Sequence, residues 1–346
     1  ALLSKETAAM FPFMVIALDI AQKRPIFTKA GALRYIPLAA AVVLFLLIRR
    51  EVFGNVPGFI VAEIDNPIAD SSHVERIATA LGVFVRYVVQ IVFPYKLASD
   101  YSFNAIPAVP SFLNPASLFG LLLFAGLIVL AVFSFRRNKT IPFAVILFLF
   151  PYIIVSNIFF PIGTIMGERL MYLPSAGFAL GTAITVAPLM RRRNAIVIGA
   201  LAAVMLLYSA RTVTRNAIWR DNELLYGTDV KTVPHNTKLL TNHAILLKSH
   251  RNIPGAETAL QKAIDLGTPW GVTYLEMSSV RIIQGRFPEA FAALKKAGEL
   301  GCREQPVLEN TAIAQFLSGD VPAAHETLRI VDSKGMSINP DRKSVV

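Results

Sequence analysis

Four apolar runs, residues 115–135, 141–160, 170–190 and 194–213, most constrain what this chain can fold into. Each is near the roughly 20 residues that a helix needs to cross the hydrocarbon of a bilayer. In that solvent every backbone N–H and C=O must be satisfied inside the structure, so such runs fold as helices packed side by side. Two further runs, residues 7–20 and 35–48, are shorter. The first can continue upstream of Ala1, and the second can borrow Gly31 to Arg34 by snorkelling. Residues 74–97 are different, because Glu75, Arg76, Arg86 and Gln90 interrupt the apolar pattern. An interfacial helix and a buried span both remain open there.

The charge distribution gives these runs a direction. Residues 1–215 hold 19 Lys and Arg against 9 Asp and Glu, whereas residues 216–346 hold 15 against 14. The basic excess therefore belongs to the apolar part, where it fits the positive-inside rule and anionic headgroups better than a nucleic-acid surface. Lys23, Arg24, Lys29 and Arg34, then Arg136, Arg137 and Lys139, then Arg191 to Arg193 mark three short connectors as cytoplasmic. Residues 98–114, 161–169 and everything after about Val213 then fall on the opposite, periplasmic or lumenal, face of a bacterial inner membrane or an endoplasmic reticulum membrane. Arg49 and Arg50 either end the second span on that face, with residues 74–97 not crossing, or mark an inner loop beside an unrecognised crossing. Cys302, the single cysteine, excludes an internal disulfide and a cysteine-rich zinc site. The chain opens at Ala1 with no initiator Met and no basic leader, which reads as a piece of something longer.

After Thr214 the apolar runs shorten and acidic and basic residues balance. Three blocks then align: HRNIPGAETALQKA, QGRFPEAFAALKKA and SGDVPAAHETLRIV. Pro254, Pro288 and Pro322 recur at a spacing of 34, as do Ala256, Ala290 and Ala324, and Leu260, Leu294 and Leu328. That is the tetratricopeptide period. Each Pro can open the second helix of a hairpin, where no backbone donor is missed, Gly285 and Gly319 loosen the preceding turn, and the small Ala lets paired helices approach. The expected fold is all-α: a polytopic transmembrane bundle over residues 1–215, then a solenoid of about three tetratricopeptide repeats over residues 216–346, whose concave surface suits a peptide or protein partner. Residues 333–346 read as a cap or the start of a further repeat.

Chemistry-bearing residues gather at span ends on the non-cytoplasmic side, where a charge is functional, paired or wet. They lie in Ser4-Lys5-Glu6, in PYKLASDYSFN (Pro94 to Asn104), in FFPIGTIMGERLMYLPSAGF (Phe159 to Phe178) and in TRNAIWRDNELLYGT (Thr214 to Thr228). Arg169 could grip a phosphate with paired N–H donors, or pair with Glu168 at the membrane surface while Tyr172 joins an aromatic belt. Asp100 and Tyr101 could offer a carboxylate and a phenol, or simply begin a loop. Lys5 can neutralise a lipid phosphate, with Glu6 as a base or as its ion-pair partner. His73, His235, His243, His250 and His325 show no converging metal spacing. No nucleotide-binding loop, zinc-protease motif or nucleophile elbow is present, no cofactor is evident, and metal assistance is left open.

The order of LLSKETAAMFPF, FPYKLASDYSFN, ERLMYLPSAGF and WRDNELLY, followed by the repeats, resembles the transmembrane and tetratricopeptide-repeat O-mannosyltransferases over nearly the whole chain. The resemblance implies a membrane glycosyltransferase of the GT-C class. Its donor would be a sugar, mannose by the family name, on a polyprenyl or dolichyl phosphate, and its acceptor a Ser or Thr hydroxyl of a protein. By motif, Arg169, Tyr172 and Lys5 become donor-phosphate contacts, and Glu6, Asp100 and Glu168 acidic residues of the cavity. In the family the loop that carries the principal base lies upstream of the S-K-E block, so the resemblance also implies a missing base, missing spans and an inactive fragment. Two other classes compete with this one. One is a membrane-anchored scaffold whose repeats bind protein partners; the other is a transporter, disfavoured because the charges sit at span ends and no inverted repeat is visible.

Overall fold

The computed structural model describes residues 6–26, 28–53, 61–191 and 195–335; they contain fourteen α-helices, two 3₁₀ turns and no strand. Contacts divide the chain into two compact units: residues 1–97 with 107–215, and residues 98–106 with 216–346. Residues 98–106 are expected with the membrane half from their place in the sequence, whereas the structure folds this segment into the repeat unit.

The first unit holds α1 (Phe11–Ala21), α2 (Lys29–Phe53), α3 (His73–Val92), α4 (Pro115–Ser134), α5 (Thr140–Val155), α6 (Tyr172–Arg191) and most of α7 (Ala195–Ile218), with 3₁₀ turns at Glu6–Met10 and Glu168–Met171. Among the described residues four helical stretches are long and apolar enough to cross a membrane: Gly31–Val52, Pro115–Ser134, Glu168–Met190 and Ala195–Ile218. The run at 35–48 does borrow Gly31 to Arg34, and it continues through Arg49 to Val52. The run at 141–160 ends at Val155, because Ser156 and Asn157 leave the helix to make a polar turn. Asp19, buried at the end of α1, ties that end to α2 by accepting from the Tyr35 hydroxyl at 2.8 Å and pairing with Arg24 at 3.3 Å.

Close helix approaches depend on missing side chains. A Cβ on Gly120 would sit 2.2 Å from the Leu81 carbonyl oxygen, so α3 and α4 meet where α4 has no side chain. Ser117, one turn earlier, donates to the Ala78 carbonyl at 2.7 Å. A Cβ on Gly177 would meet the Phe148 nitrogen at 2.4 Å, which presses α6 onto α5. In lipid the surrounding solvent is itself apolar, and small residues and polar contacts of this kind are what hold helices together.

The second unit runs through α8 (Asn222–Thr232), α9 (Thr237–Ser249), α10 (Ile253–Asp265), α11 (Gly271–Ile283), α12 (Phe287–Glu299), α13 (Glu304–Leu317) and α14 (Val321–Ser333). Helices α9 with α10, α11 with α12, and α13 with α14 are the three hairpins of the 34-residue period. Pro254, Pro288 and Pro322 each stand in the first turn of the second helix. Gly285 and Gly319 turn the hairpins with φ of 72° and 92°, a region that costs a side chain about 1–2 kcal/mol. Ala256, Ala290 and Ala324 are fully buried where hairpin helices touch. Leu260 and Leu294 are buried beside them, while Leu328, in the last helix, is only half-buried. Side-chain amides and hydroxyls cross-link successive first helices: Thr241 meets Thr273 at 2.8 Å, and Asn310 donates to Ser279 at 3.0 Å.

Candidate functional site

Within the first unit the polar groups concentrate at the end of the bundle where α5 gives way to α6. Asn157 adopts a left-handed conformation (φ 60°) and is buried. Its Oδ1 accepts from Ile162 N at 2.9 Å and from Asn66 Nδ2 at 2.9 Å, while its Nδ2 donates to the Thr164 carbonyl at 3.0 Å. Asn66 Nδ2 also donates to the Ile162 carbonyl at 2.7 Å. Two buried amides thereby satisfy a hairpin that would otherwise bury unpaired backbone groups. Farther along, the Tyr87 hydroxyl accepts from Gly167 N at 2.8 Å and donates to the Gly167 carbonyl at 3.2 Å. Tyr87 in turn packs edge-on against the buried Tyr152 ring, at 5.9 Å between centroids.

This clasp also fastens α3. Asn66 precedes that helix and Tyr87 lies near its end, yet both bind the hairpin between Asn157 and Gly167. Helix α3 is thus fastened to that hairpin near both of its ends, and Arg49 and Arg50 lie near the end of α2.

Gly167, held on both sides by one hydroxyl, starts the turn that carries Glu168 and Arg169. Glu168 is half-buried and engaged. Arg169 is exposed and makes no ion pair among the described residues, and Tyr172, the first residue of α6, is 85% exposed. The structure thus brings Glu168, Arg169 and Tyr172 together on one braced turn. Asp100 is in the other unit: its Oδ2 accepts from Ser102 N at 3.0 Å and from Asn236 Nδ2 at 3.0 Å. Lys5 lies outside the described residues, and Glu6 opens the first 3₁₀ turn with its side chain undescribed.

An apolar groove of about 570 Å³ opens between α4, α5 and α6, lined among others by Leu127, Phe148, Gly181 and Thr185. The hydroxyls of Thr182 and Thr185 fold back onto the Phe178 and Gly181 carbonyls, so the wall presents methyl groups. Tyr172 is nine residues before Gly181, which at about 100° per residue puts it on the opposite side of α6. In the second unit, Arg220, Asp221, Asn222 and Glu223 of the WRDNELLY stretch border an open polar cleft with His250, whose Nδ1 lies 3.6 Å from Glu223. Asp221 also caps α8 by accepting from Glu223 N at 2.8 Å. Among the described residues no three His, Cys, Asp or Glu side chains gather as a metal site would require.

Residues 54–128, from the end of α2 through α3 into α4, match the family model described as "Protein O-mannosyl-transferase TMTC, DUF1736". The chain is similar over this stretch to the TMTC family. Among its relatives, protein O-mannosyl-transferase TMTC1 of Mus musculus is 31% identical over 205 residues, 56% of this chain and 22% of that protein. Protein O-mannosyl-transferase TMTC3 of Homo sapiens is 30% identical over 233 residues, 64% of this chain and 25% of that protein. Protein O-mannosyl-transferase F38B6.6 of Caenorhabditis elegans is 27% identical over 269 residues, 76% of this chain and 37% of that protein. The matched region thus spans between about a fifth and two fifths of these relatives. With four apolar helices of membrane-crossing length among the described residues, the chain is an integral membrane protein.

Asn66, Asn157 and Tyr87 were not among the residues expected from sequence. Asn157 before a Pro-x-Gly turn is a local signal for a left-handed residue. Nothing local points to Asn66 or Tyr87, whose partners lie 91 and 80 residues away.

Proposed function

We propose that the chain forms part of a membrane protein O-mannosyltransferase, which moves a mannosyl group from a polyprenyl or dolichyl phosphate to a Ser or Thr hydroxyl of a protein. The observation that carries this reading is the braced turn after Gly167. It presents an exposed arginine, unpaired among the described residues, at the end of a membrane bundle, in a chain whose relatives are named for this transfer. The acceptor oxygen forms the new bond to the sugar, its proton goes to a carboxylate, and the lipid phosphate leaves with the bonding pair. Arg169 would receive that phosphate through paired N–H donors, with Tyr172 and Lys5 as further donors. Glu168, and Glu6 beside Lys5, are the acidic residues of this site. Asp100 suits it less well, because its Oδ2 already accepts two hydrogen bonds within the repeat unit.

The three basic connectors support a non-cytoplasmic side for the braced turn and for the repeats, which would there select or present the acceptor. The test is transfer of radiolabelled mannose from polyprenyl phosphate to membrane proteins, with the longest reading frame that contains this chain. Arg169→Ala should reduce transfer at least 100-fold with membrane insertion unchanged. Wild-type transfer in Arg169→Ala membranes would remove the phosphate role, and protease protection that put the repeats in the cytoplasm would remove theirs.

A further inference from the structure

The segment between α3 and α4 makes its close bonds with residues far along the chain. Ser99 N donates to Asp229 Oδ2 at 2.6 Å, across 130 positions. Asn236 Nδ2 donates to both the carbonyl and the Oδ2 of Asp100, at 3.1 and 3.0 Å. Thr237 N donates to the Phe103 carbonyl at 3.3 Å, and Asn104 Nδ2 to the Leu266 carbonyl at 2.6 Å. The segment is also internally braced: Ala98 N donates to the Tyr101 hydroxyl, Ser102 N to Asp100 Oδ2, and Ala105 N to the Ser102 carbonyl. Asn104 reverses it at a φ of 66°, a conformation that Asn tolerates. Ala98, Tyr101, Ser102 and Ile106 are buried, as are Asp229, Asn236 and Thr237 on the receiving side.

A solenoid buries each repeat against its neighbours, so the first repeat needs a terminal layer of different composition. Helix α8 supplies part of that layer. We propose that residues 98–106 supply the rest: they are the N-terminal cap of the repeat array, borrowed from the middle of the membrane half of the sequence. Burial of Asp229 and Asn236 has a reason on this view, since a buried carboxylate and amide are costly unless something binds them. Asn236 is the central residue. Its Oδ1 caps α9 by accepting from Leu239 N at 3.0 Å, while its Nδ2 holds the segment. One amide therefore starts the first repeat helix and fastens the cap. Asp100 serves the cap.

The two jobs of Asn236 separate on substitution. Asn236→Asp keeps an oxygen for Leu239 N but sets a second carboxylate against Asp100, whereas Asn236→Asp combined with Asp100→Asn restores a donor facing an acceptor. Hydrogen exchange on the intact chain in detergent is the readout. In Asn236→Asp the amides of Ser99, Ser102 and Thr237 should exchange at least tenfold faster, with α11 to α14 unchanged, and the double variant should recover most of the protection. Unchanged protection at Ser99 and Thr237 in the single variant would overturn the proposal. If the single variant unfolds the whole repeat unit, the double variant decides: recovery supports the cap, and failure to recover overturns it.

Discussion

The two units are both helical and are held together by different means. The membrane unit, apart from the short α1 and the amphipathic α3, has long helices with apolar surfaces all round, and its specificity sits in a few places: the Gly177 and Gly120 approaches and the Asn66–Asn157–Tyr87 clasp. The repeat unit has short amphipathic helices, and its order is spread over a periodic seam of Ala and Leu. The difference follows from solvent. Where lipid surrounds the helices, burying a leucine gains little, so polar contacts and close backbone approaches decide the arrangement; where water surrounds them, each buried leucine contributes about 1.5–3 kcal/mol.

Substitutions should separate the two regimes. The largest effect is expected from Gly177→Leu, whose side chain would need space that the α5 backbone occupies; folded protein in detergent should fall below detection by size exclusion. A folded Gly177→Leu would show that α5 and α6 are not pressed together there. Leu294→Ala, in the repeat seam, should cost about 2–5 kcal/mol and lower the melting point of the repeat helices. Asn157→Ala should cost about 3 kcal/mol, because it leaves Ile162 N and two carbonyls unpaired, and it should expose the turn before Glu168 to protease. If Asn157→Ala were silent while Leu294→Ala was severe, the clasp would not be what orders the membrane unit. Lys248→Ala removes a partly buried pair with Glu276 and should cost about 1 kcal/mol or less.

The smallest effect is a pH dependence confined to the repeat unit. Burial holds the His243 imidazole below its ordinary value of 6.5, so the folded chain takes up that proton at lower pH than the unfolded chain. Stability is complete above about pH 6.5 and declines below it until the folded imidazole protonates. The melting point should fall more between pH 7.5 and 5.5 for the wild type than for His243→Gln; an equal fall would assign the dependence elsewhere.

The same contrast explains what could be read in advance. Pro254, Pro288 and Pro322 announce the hairpins because a solenoid repeats its contacts at fixed spacing, and the apolar runs announce the spans because bilayer thickness fixes their length. Residues 74–97 could be read either way, since the amphipathic pattern that suits an interface also suits a span facing protein. The Glu168–Arg169–Tyr172 turn stood out by residue type at a span end. Its brace did not, because Asn66 and Tyr87 reach it through contacts that leave no periodic mark. Asp100 stood out equally by type; its bond to Asn236, 136 positions on, had no signal at all.

The cap sets an order of events on the ribosome. Its last partner, Leu266, is added 162 residues after Asn104, which at about 5–20 residues per second is a delay on the order of ten seconds or more. Through that interval α4 to α10 are made while the buried face of Tyr101 and Ile106 waits for its complete seat, a window in which a holding chaperone would find it. A repeat module excised at residue 216 and grafted elsewhere would carry the converse defect, a finished seat with nothing to fill it.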